Sequence, residues 1–512
     1  MRYAFVIDQN RCIGCHACTV ACKEEHNVPL GVFRTWVKYI EKGEFPDTSR
    51  HFGVMRCNHC DDAPCVEVCP TSALFRRPDG IVDFDTNRCI GCKSCMQACP
   101  YDALYIDPNS HTAAKCNFCA HRIEKSLEPA CVIVCPTRAI IAGDMDDTQS
   151  EAGRLIATQK VAARKPQKGT NPKLFYIGIE GDFLQPVTMA GTAHLWAQTA
   201  PASNRLAPED AGDRARPGAA RSVYDVAHPP PWGAIPAFYL WTKSIAGGIL
   251  LVAAILFGIN YEGVLMNPTV VRIISPVLAL AFTAITTALL IADLDRPDRF
   301  YYILIKPNPR SWLVWGTYIL IAYSVMSILW LAFGITGRII PAPIIWIAAL
   351  TGIGSACYSA FLFAQAKGRD LWQSPLFLWH LLIQALLAGA ALLVIVVIIA
   401  GGRGKFLLIP TLSKLLIVGV AVSAVMILGE ISLTPFSEDV RRAVAVMTRG
   451  GLCVQFWGGA LGIGAAVPLI LLGLAPVGGT FTLTIAAAVA ALAGLLVFEL
   501  VWIKAGQAVP LS

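Results

Sequence analysis

Sixteen of the eighteen cysteines fall within the first 135 residues, in four groups of four. They are Cys12, Cys15, Cys18, Cys22; Cys57, Cys60, Cys65, Cys69; Cys89, Cys92, Cys95, Cys99; and Cys116, Cys119, Cys131, Cys135. A 4Fe-4S cubane takes four thiolates, so sixteen are what four cubanes need. The third group reads Cys-x2-Cys-x2-Cys-x3-Cys-Pro from Cys89 to Pro100, the bacterial cluster run without a gap. The first has the same spacing but ends Cys22-Lys23. The second is stretched to C-x2-C-x4-C-x3-C-P and the fourth to C-x2-C-x11-C-x3-C-P. A tight loop presents three thiolates to one cube, and the fourth, on the following helical turn, reaches the neighbouring cluster.

Three other chemistries fit less well. Eight disulfides are disfavoured because thiols two residues apart pair poorly. A tetrahedral zinc site is too small for C-x2-C-x2-C-x3-C. Cys12-Ile13-Gly14-Cys15-His16 matches the C-x-x-C-H haem-attachment pattern. Both of its cysteines already belong to a four-cysteine loop, which leaves His16 as a solvated residue or one behind the ligands.

The elements that must hold these loops are short. Phe5–Asp8 and Ile81–Asp85 read as strands before a loop, Ala73–Phe75 and Ala103–Ile106 as strands after one. This is the rhythm of two-cluster bacterial ferredoxins run twice. Residues 141–198 read as a mixed extension and Thr199–Val223, rich in Pro, Ala and Arg, as a surface linker. From 236 onward the sequence is a train of apolar runs. The expected fold class is an α+β double bacterial-ferredoxin-like domain at 1–140, an extension and linker at 141–235, and an all-α bundle of eight transmembrane helices at 236–512. The spans fall near 236–260, 272–293, 312–333, 344–365, 376–400, 412–430, 454–474 and 480–503.

The net charge of +7 contains no basic run of the kind that binds nucleic acid. Instead it signs the topology. Loops on the cluster side and the C-terminal tail hold Arg296, Arg299, Lys306, Arg310, Lys367, Arg369, Arg441, Arg442, Arg449 and Lys504. The far side holds Arg272, Arg338, Arg403, Lys405 and Lys414, half as many. The positive-inside rule then expects a multi-pass protein of the inner (cytoplasmic) membrane with its clusters in the cytoplasm. The first residues, Met1 to Asp8, show no apolar or twin-arginine export signal, which agrees.

The four groups, in this order and with these stretched spacings, resemble the iron–sulfur subunits of molybdopterin oxidoreductases of the dimethyl sulfoxide and polysulfide reductase type. The resemblance implies nested ligand sets. Cys12, Cys15, Cys18 and Cys135 would share one 4Fe-4S cluster, and Cys22, Cys116, Cys119 and Cys131 a second. Cys57, Cys60, Cys65 and Cys99 would share a third, and Cys69, Cys89, Cys92 and Cys95 a fourth. The membrane half resembles the NrfD/polysulfide-reductase-type quinone subunit through Ile291–Phe300 and Asn308–Trp312. The two parts look fused here. The resemblance implies electron relay between the quinone pool (menaquinone or ubiquinone) and a molybdopterin or tungstopterin catalytic subunit on another chain.

A haem b in a bundle needs two axial histidines, and the spans contain only His380, so the bundle is expected to be haem-free. Electrons must then pass straight from the last cluster to the quinone, close to the cluster-facing surface. The intramembrane polar residues Lys243, Asp293, Gln365, His380, Gln384, Glu430, Gln455 and Glu499 all lie in that layer. Lys243, Asp293, His380 and Glu430 are the expected quinone site. Glu499 reads as a helix-end partner of Lys504, and Asp293 also as a loop partner of Arg296 or Arg299. Two other functions compete: an ion-translocating quinone oxidoreductase module, and a hydrogenase electron-transfer partner.

Overall fold

The computed structural model describes residues 1–179, 181–184, 220–266, 268–474 and 481–512. Among these, the first half contains β1 (Tyr3–Asp8), β2 (Thr35–Glu44), β3 (Asp47–Arg56), β4 (Leu74–Arg76), β5 (Val82–Phe84), β6 (Leu104–Asp107), β7 (Thr112–Lys115), β8 (Ile140–Asp144), β9 (Val161–Ala162), β10 (Leu174–Ile177) and β11 (Arg221–Tyr224). The four strands expected around the cysteine loops are β1, β4, β5 and β6. β4 pairs with β5 and β6 with β7, each antiparallel.

The run Ala4-Phe5-Val6-Ile7 is buried throughout, with no alternation of polar residues. A strand of that kind must be covered on both faces and paired on both edges. β1 is therefore central, antiparallel to β8 and parallel to β10, in the sheet order β8-β1-β10-β9. β8, β9 and β10, which fall from the last residue of the expected cluster domain into the expected extension at 141–198, thus complete the sheet that the first strand begins. β11 adds to the β2–β3 hairpin. The last residues of the expected linker, Arg221–Val223, are accordingly a strand, and its residues 199–219 lie outside the described ones.

The cysteine loops share a backbone device. In the first Cys-x-x-Cys turn of each group the residue before the second cysteine is left-handed: Gly14 (φ 69°), His59 (φ 44°), Gly91 (φ 70°) and Phe118 (φ 62°). The turn folds the backbone over its own sulfurs, so the His59 and Gly91 amides donate to Cys57 Sγ and Cys89 Sγ at 3.5 and 3.4 Å. For His59 and Phe118 this conformation costs about 1–2 kcal/mol.

Among the described residues, eight helices are long and apolar enough to cross a membrane: Ile235–Ile259, Val270–Ala292, Trp312–Ile335, Ala342–Ala364, Phe377–Ala400, Lys405–Ser432, Gln455–Leu474 and Phe481–Ala508. The sixth starts at Lys405, not near 412, and runs through Pro410. Neighbouring helices and local adjustment absorb one missing N–H in a membrane helix, so the proline does not stop it. The first span is 78% buried against 22–28% for the second, third, sixth and seventh, which makes it the central helix. Gly247 faces the Gly352 carbonyl of the fourth span, and Gly248 lies on the backbone of Ala385 and Gly389 of the fifth. No Cβ fits at either contact, and this is how backbones pack closely inside a bundle.

Candidate redox centres and their junction with the membrane bundle

The structure gathers the cysteines across the sequence. Cys12, Cys15, Cys18 and Cys135 line one cavity of about 320 Å³. Cys57, Cys60, Cys65 and Cys99 line another of about 310 Å³. Cys69, Cys89, Cys92 and Cys95 line a third of about 390 Å³. Cys22 lies within electrostatic reach of Cys116, Cys119 and Cys131. Among the described residues no three His, Cys, Asp or Glu side chains are placed to hold a single metal ion. Sulfurs set round cavities of this size suit a multi-iron group.

The sets stand in file. Cys18 of the first reaches Cys131 of the second. Cys116 of the second reaches Cys57 of the third, and Cys95 of the last reaches Cys65 of the third. At the outer end Cys15 is exposed. Beside it His16, the residue of the haem-like pattern, packs on Tyr224 and sits 2.9 Å from the Tyr39 hydroxyl.

At the inner end, the Cys89–Cys95 loop rests on the membrane half. The Asp295 and Arg296 amides donate to the Gly91 and Ile90 carbonyls at 3.3 and 3.2 Å. Lys93 pairs with Asp295 at 3.0 Å. Arg299 donates to the Thr86 and Cys89 carbonyls at 2.7 and 3.1 Å. Asn308 donates to the Cys69 carbonyl at 2.8 Å and Ser311 to the Val68 carbonyl at 2.7 Å. The two stretches that carried the membrane-half resemblance are thus the clamp on the last cysteine set. Asp293 does not pair with Arg296 or Arg299; Asp298, nearer to both along the sequence, takes them at 2.9 and 3.8 Å.

Beneath the clamp the expected quinone residues fall at three stations. Asp293 caps the second span beside Lys93, whose ammonium donates to the Asp293 carbonyl at 3.4 Å. Lys243 donates to the Ser359 hydroxyl, lies 4.5 Å from the centre of the Tyr358 ring and is within reach of Glu499. His380 Nε2 lies 3.1 Å from Glu430 Oε2. Glu499 is fully buried and Lys504 is exposed, so the helix-end pair does not form. The last helix runs on to Ala508, which leaves Glu499 well inside it. Both Glu499 oxygens, both Gln384 amide atoms and the Ser244 and Ser355 hydroxyls are buried with no hydrogen-bond partner in the protein.

Tyr239, Tyr358 and Ser359 escaped the sequence reading. Tyr239 reaches Asp293, Glu499 and Tyr358 and so links two of the stations. The available signal was its i, i+4 spacing from Lys243 on one helix face. A run of ring contacts also joins the last set to His380. Trp232 donates to the Cys92 carbonyl at 3.3 Å and stacks on Trp372 at 5.5 Å. Trp372 meets Phe363, Phe363 meets Phe377, Phe377 stacks on Trp502, and Trp502 faces His380.

A file of cysteine cavities ending on a polar-cored bundle defines an iron–sulfur electron-transfer subunit fused to a multi-pass membrane module. The particular lineage follows from comparison. The family profile described as "Polysulphide reductase, NrfD" matches residues 223–510, more than half of the sequence, and this chain is a member of that family. Two profiles described as "4Fe-4S dicluster domain" match residues 49–145 and 11–74. The first half is similar to a subunit of the tetrathionate reductase of Salmonella typhimurium, 43% identical over 201 residues, covering 38% of this chain and 80% of that protein. It is similar to a chain of the polysulfide reductase of Wolinella succinogenes, 42% identical over 181 residues, covering 34% and 94%. It is also similar to protein NrfC of Escherichia coli K12, 44% identical over 180 residues, covering 35% and 81%. Two of these relatives are by name components of reductases.

Proposed function

We propose that this chain relays electrons between a molybdopterin- or tungstopterin-containing catalytic subunit on another chain and the quinone pool. In this reading each cysteine set holds one 4Fe-4S cluster, the bundle holds no haem, and the cluster half faces the cytoplasm at the inner membrane. Bound clusters supply one-electron carriers in series. The junction carries the reading: the last cysteine loop is clamped by the family motif of the membrane half, and ring contacts lead from it to His380. The loop-charge asymmetry supports the sidedness.

The quinone is assigned to the His380–Glu430 pair. An apolar crevice of about 320 Å³ between the fifth to eighth spans is lined by Leu387, Ile427, Gly464, Leu495 and Phe498. Phe498 stacks on His380 with 6.1 Å between ring centres, and Glu430 follows Ile427 by one helical turn. An apolar slot with an imidazole and a carboxylate at one end matches a molecule with a carbonyl-bearing ring and a hydrocarbon tail. Asp293, Lys243 and Glu499, on the cluster side, are assigned to proton exchange with it. Electrons and protons then enter on one face, and turnover builds little membrane potential.

Anaerobically purified protein should contain about sixteen iron atoms per chain and show no haem absorbance. Adding a quinol should reduce its iron–sulfur signals. Iron near eight, or a Soret band, refutes the four-cluster, haem-free reading. One observation favours the ion-translocating alternative: the unpartnered Gln384, Ser244 and Ser355 add buried polar groups to which the quinone scheme gives no role. Reconstituted vesicles decide between the two, since a potential built during turnover supports translocation and overturns the electroneutral scheme.

A further inference from the structure

Arg56 ends β3, held by the hairpin register opposite Thr35, and leads directly into Cys57. Its guanidinium is 1% exposed. It does not point at the third set, to which Cys57 belongs. Nη1 donates to Cys131 Sγ at 3.1 Å, and Cys116 and Cys18 lie within electrostatic reach. The Phe5 ring closes one face at 4.5 Å. Nε and Nη2 are buried with no hydrogen-bond partner in the protein, and among the described residues no carboxylate pairs with Arg56.

A buried, unpaired cation is costly unless an anion answers it. The groups in reach are the sulfurs of Cys131, Cys116 and Cys22 of the second set, Cys18 at the near edge of the first, and whatever those sulfurs bind. The same set receives a second side-chain nitrogen, His26 Nε2, 3.1 Å from Cys119 Sγ. The other sets are served differently. Cys57, Cys89 and Cys135 take backbone amides, with hydroxyls near Cys69 and Cys135. Cations stand near the third and fourth sets too, but their N–H groups are spent elsewhere. Lys115 donates to the Val82 and Cys116 carbonyls, Lys173 to Asp61 and the Gly80 carbonyl, and Arg299 to the Thr86 and Cys89 carbonyls.

We infer that Arg56 sets the redox potential of the centre held by Cys22, Cys116, Cys119 and Cys131 and raises it above the other three. The inference rests on the four-cluster reading. Adding one electron to a 4Fe-4S cluster adds one negative charge and needs no proton. A fixed cation with N–H donors aimed at the sulfurs stabilises the reduced form more than the oxidised one, and net charge and N–H···S bonds are the protein's main levers on such potentials. Arg56 is a positioning residue of the relay: it makes the second centre the place where the first electron rests.

The test is an EPR-monitored redox titration of the whole protein with iron counted on the same sample. In wild type grown with arginine labelled with ¹⁵N in the side chain, the signal that appears first should carry a weak ¹⁵N coupling, lost in Arg56→Lys. The potential of that signal should fall in Arg56→Gln and fall less in Arg56→Lys, while the first centre, which Arg56 reaches only through Cys18, moves less and the other two hold. Iron near sixteen with that potential unmoved in both variants overturns the inference and leaves the four-cluster reading intact. Wild type with no reducible iron–sulfur signals overturns the four-cluster reading instead. Should Arg56→Gln fail to assemble its clusters, the wild-type coupling and the Lys variant decide; an absent coupling with an unmoved potential overturns the role of Arg56.

Discussion

The two halves handle polar groups in opposite ways. In the cluster half each set starts from a Cys-x-x-Cys turn, and its first sulfur can take an amide two positions on, as at Cys57 and Cys89, with longer-range donors added at Cys119 and Cys131. In the membrane half the polar groups come from helices far apart in sequence. Lys243 meets Ser359, His380 meets Glu430, and several of the remaining groups find no protein partner. Local specification gives sites that fail one at a time. Assembly from distant helices gives a site whose members depend on one another.

The largest effect should come from Cys92→Ser. It should remove about a quarter of the iron and abolish exchange with the quinone, with the other three centres still reducible from the outer end. If all the iron is lost, the cysteine sets are not independent and the contrast fails. Next comes Glu430→Gln. Quinone-linked turnover should drop by on the order of 100-fold, while iron content and reduction from the substrate side stay as in wild type. Full quinone activity in that variant moves the quinone away from His380. Asp293→Asn sharpens the point: its loss should slow quinone turnover less, because it stands apart from the pair.

Gly91→Ala probes the boundary itself. Gly91 is left-handed, and a Cβ there would come 2.7 Å from the Asp295 Cβ. The substitution should cost about 1–2 kcal/mol, read as a lower unfolding temperature with iron retained. An unchanged unfolding temperature means the clamp on this loop is loose.

The smallest effect concerns His228 and Asp102, 2.9 Å apart outside the spans. The Asp102 carboxylate holds His228 above its ordinary 6.5 against the effect of burial, and His228 holds Asp102 below its ordinary 3.8. The histidine's share of stability is complete below pH 6.5 and is lost as pH rises through its raised value. The aspartate's share is present above pH 3.8 and is lost on acidification. Hydrogen exchange in residues 225–232 should therefore quicken, beyond the intrinsic pH trend, between pH 6 and pH 9. The His228→Gln variant should show no such change.

How much of this was legible in the sequence follows the same divide. Cysteine spacing is a local signal, so the four groups and the strands beside them could be read directly. Which distant cysteine completes each set is a tertiary fact, and only the family resemblance implied it. The eight spans were legible because a bilayer fixes helix length. The start of the sixth was misplaced because Pro410 reads as a stop in water. Glu499 looked like a helix-end residue because the expected span stopped at 503, whereas the helix runs to Ala508. The strand role of residues 140–177 depends on the two open edges of β1, which lie more than a hundred residues away.

Gln507 joins parts of the protein that could otherwise separate. It exchanges two hydrogen bonds with the Trp232 backbone at 3.0 Å and accepts one from Gln97 at 2.7 Å, while Arg369 holds Gln97 at 2.8 Å. These residues enter from the last cysteine loop, the lead-in to the first span, a loop between spans and the final helix. When the two halves are separate chains, such a contact has to be strong enough to survive dilution. Here the peptide linkage keeps the local concentration of each half around the other in the millimolar range or higher, whatever the cell's expression level. The contact is relieved of holding the assembly together and has only to fix spacing. A small polar knot is enough for that, and it leaves the membrane half no freedom to trade one electron-carrying partner for another.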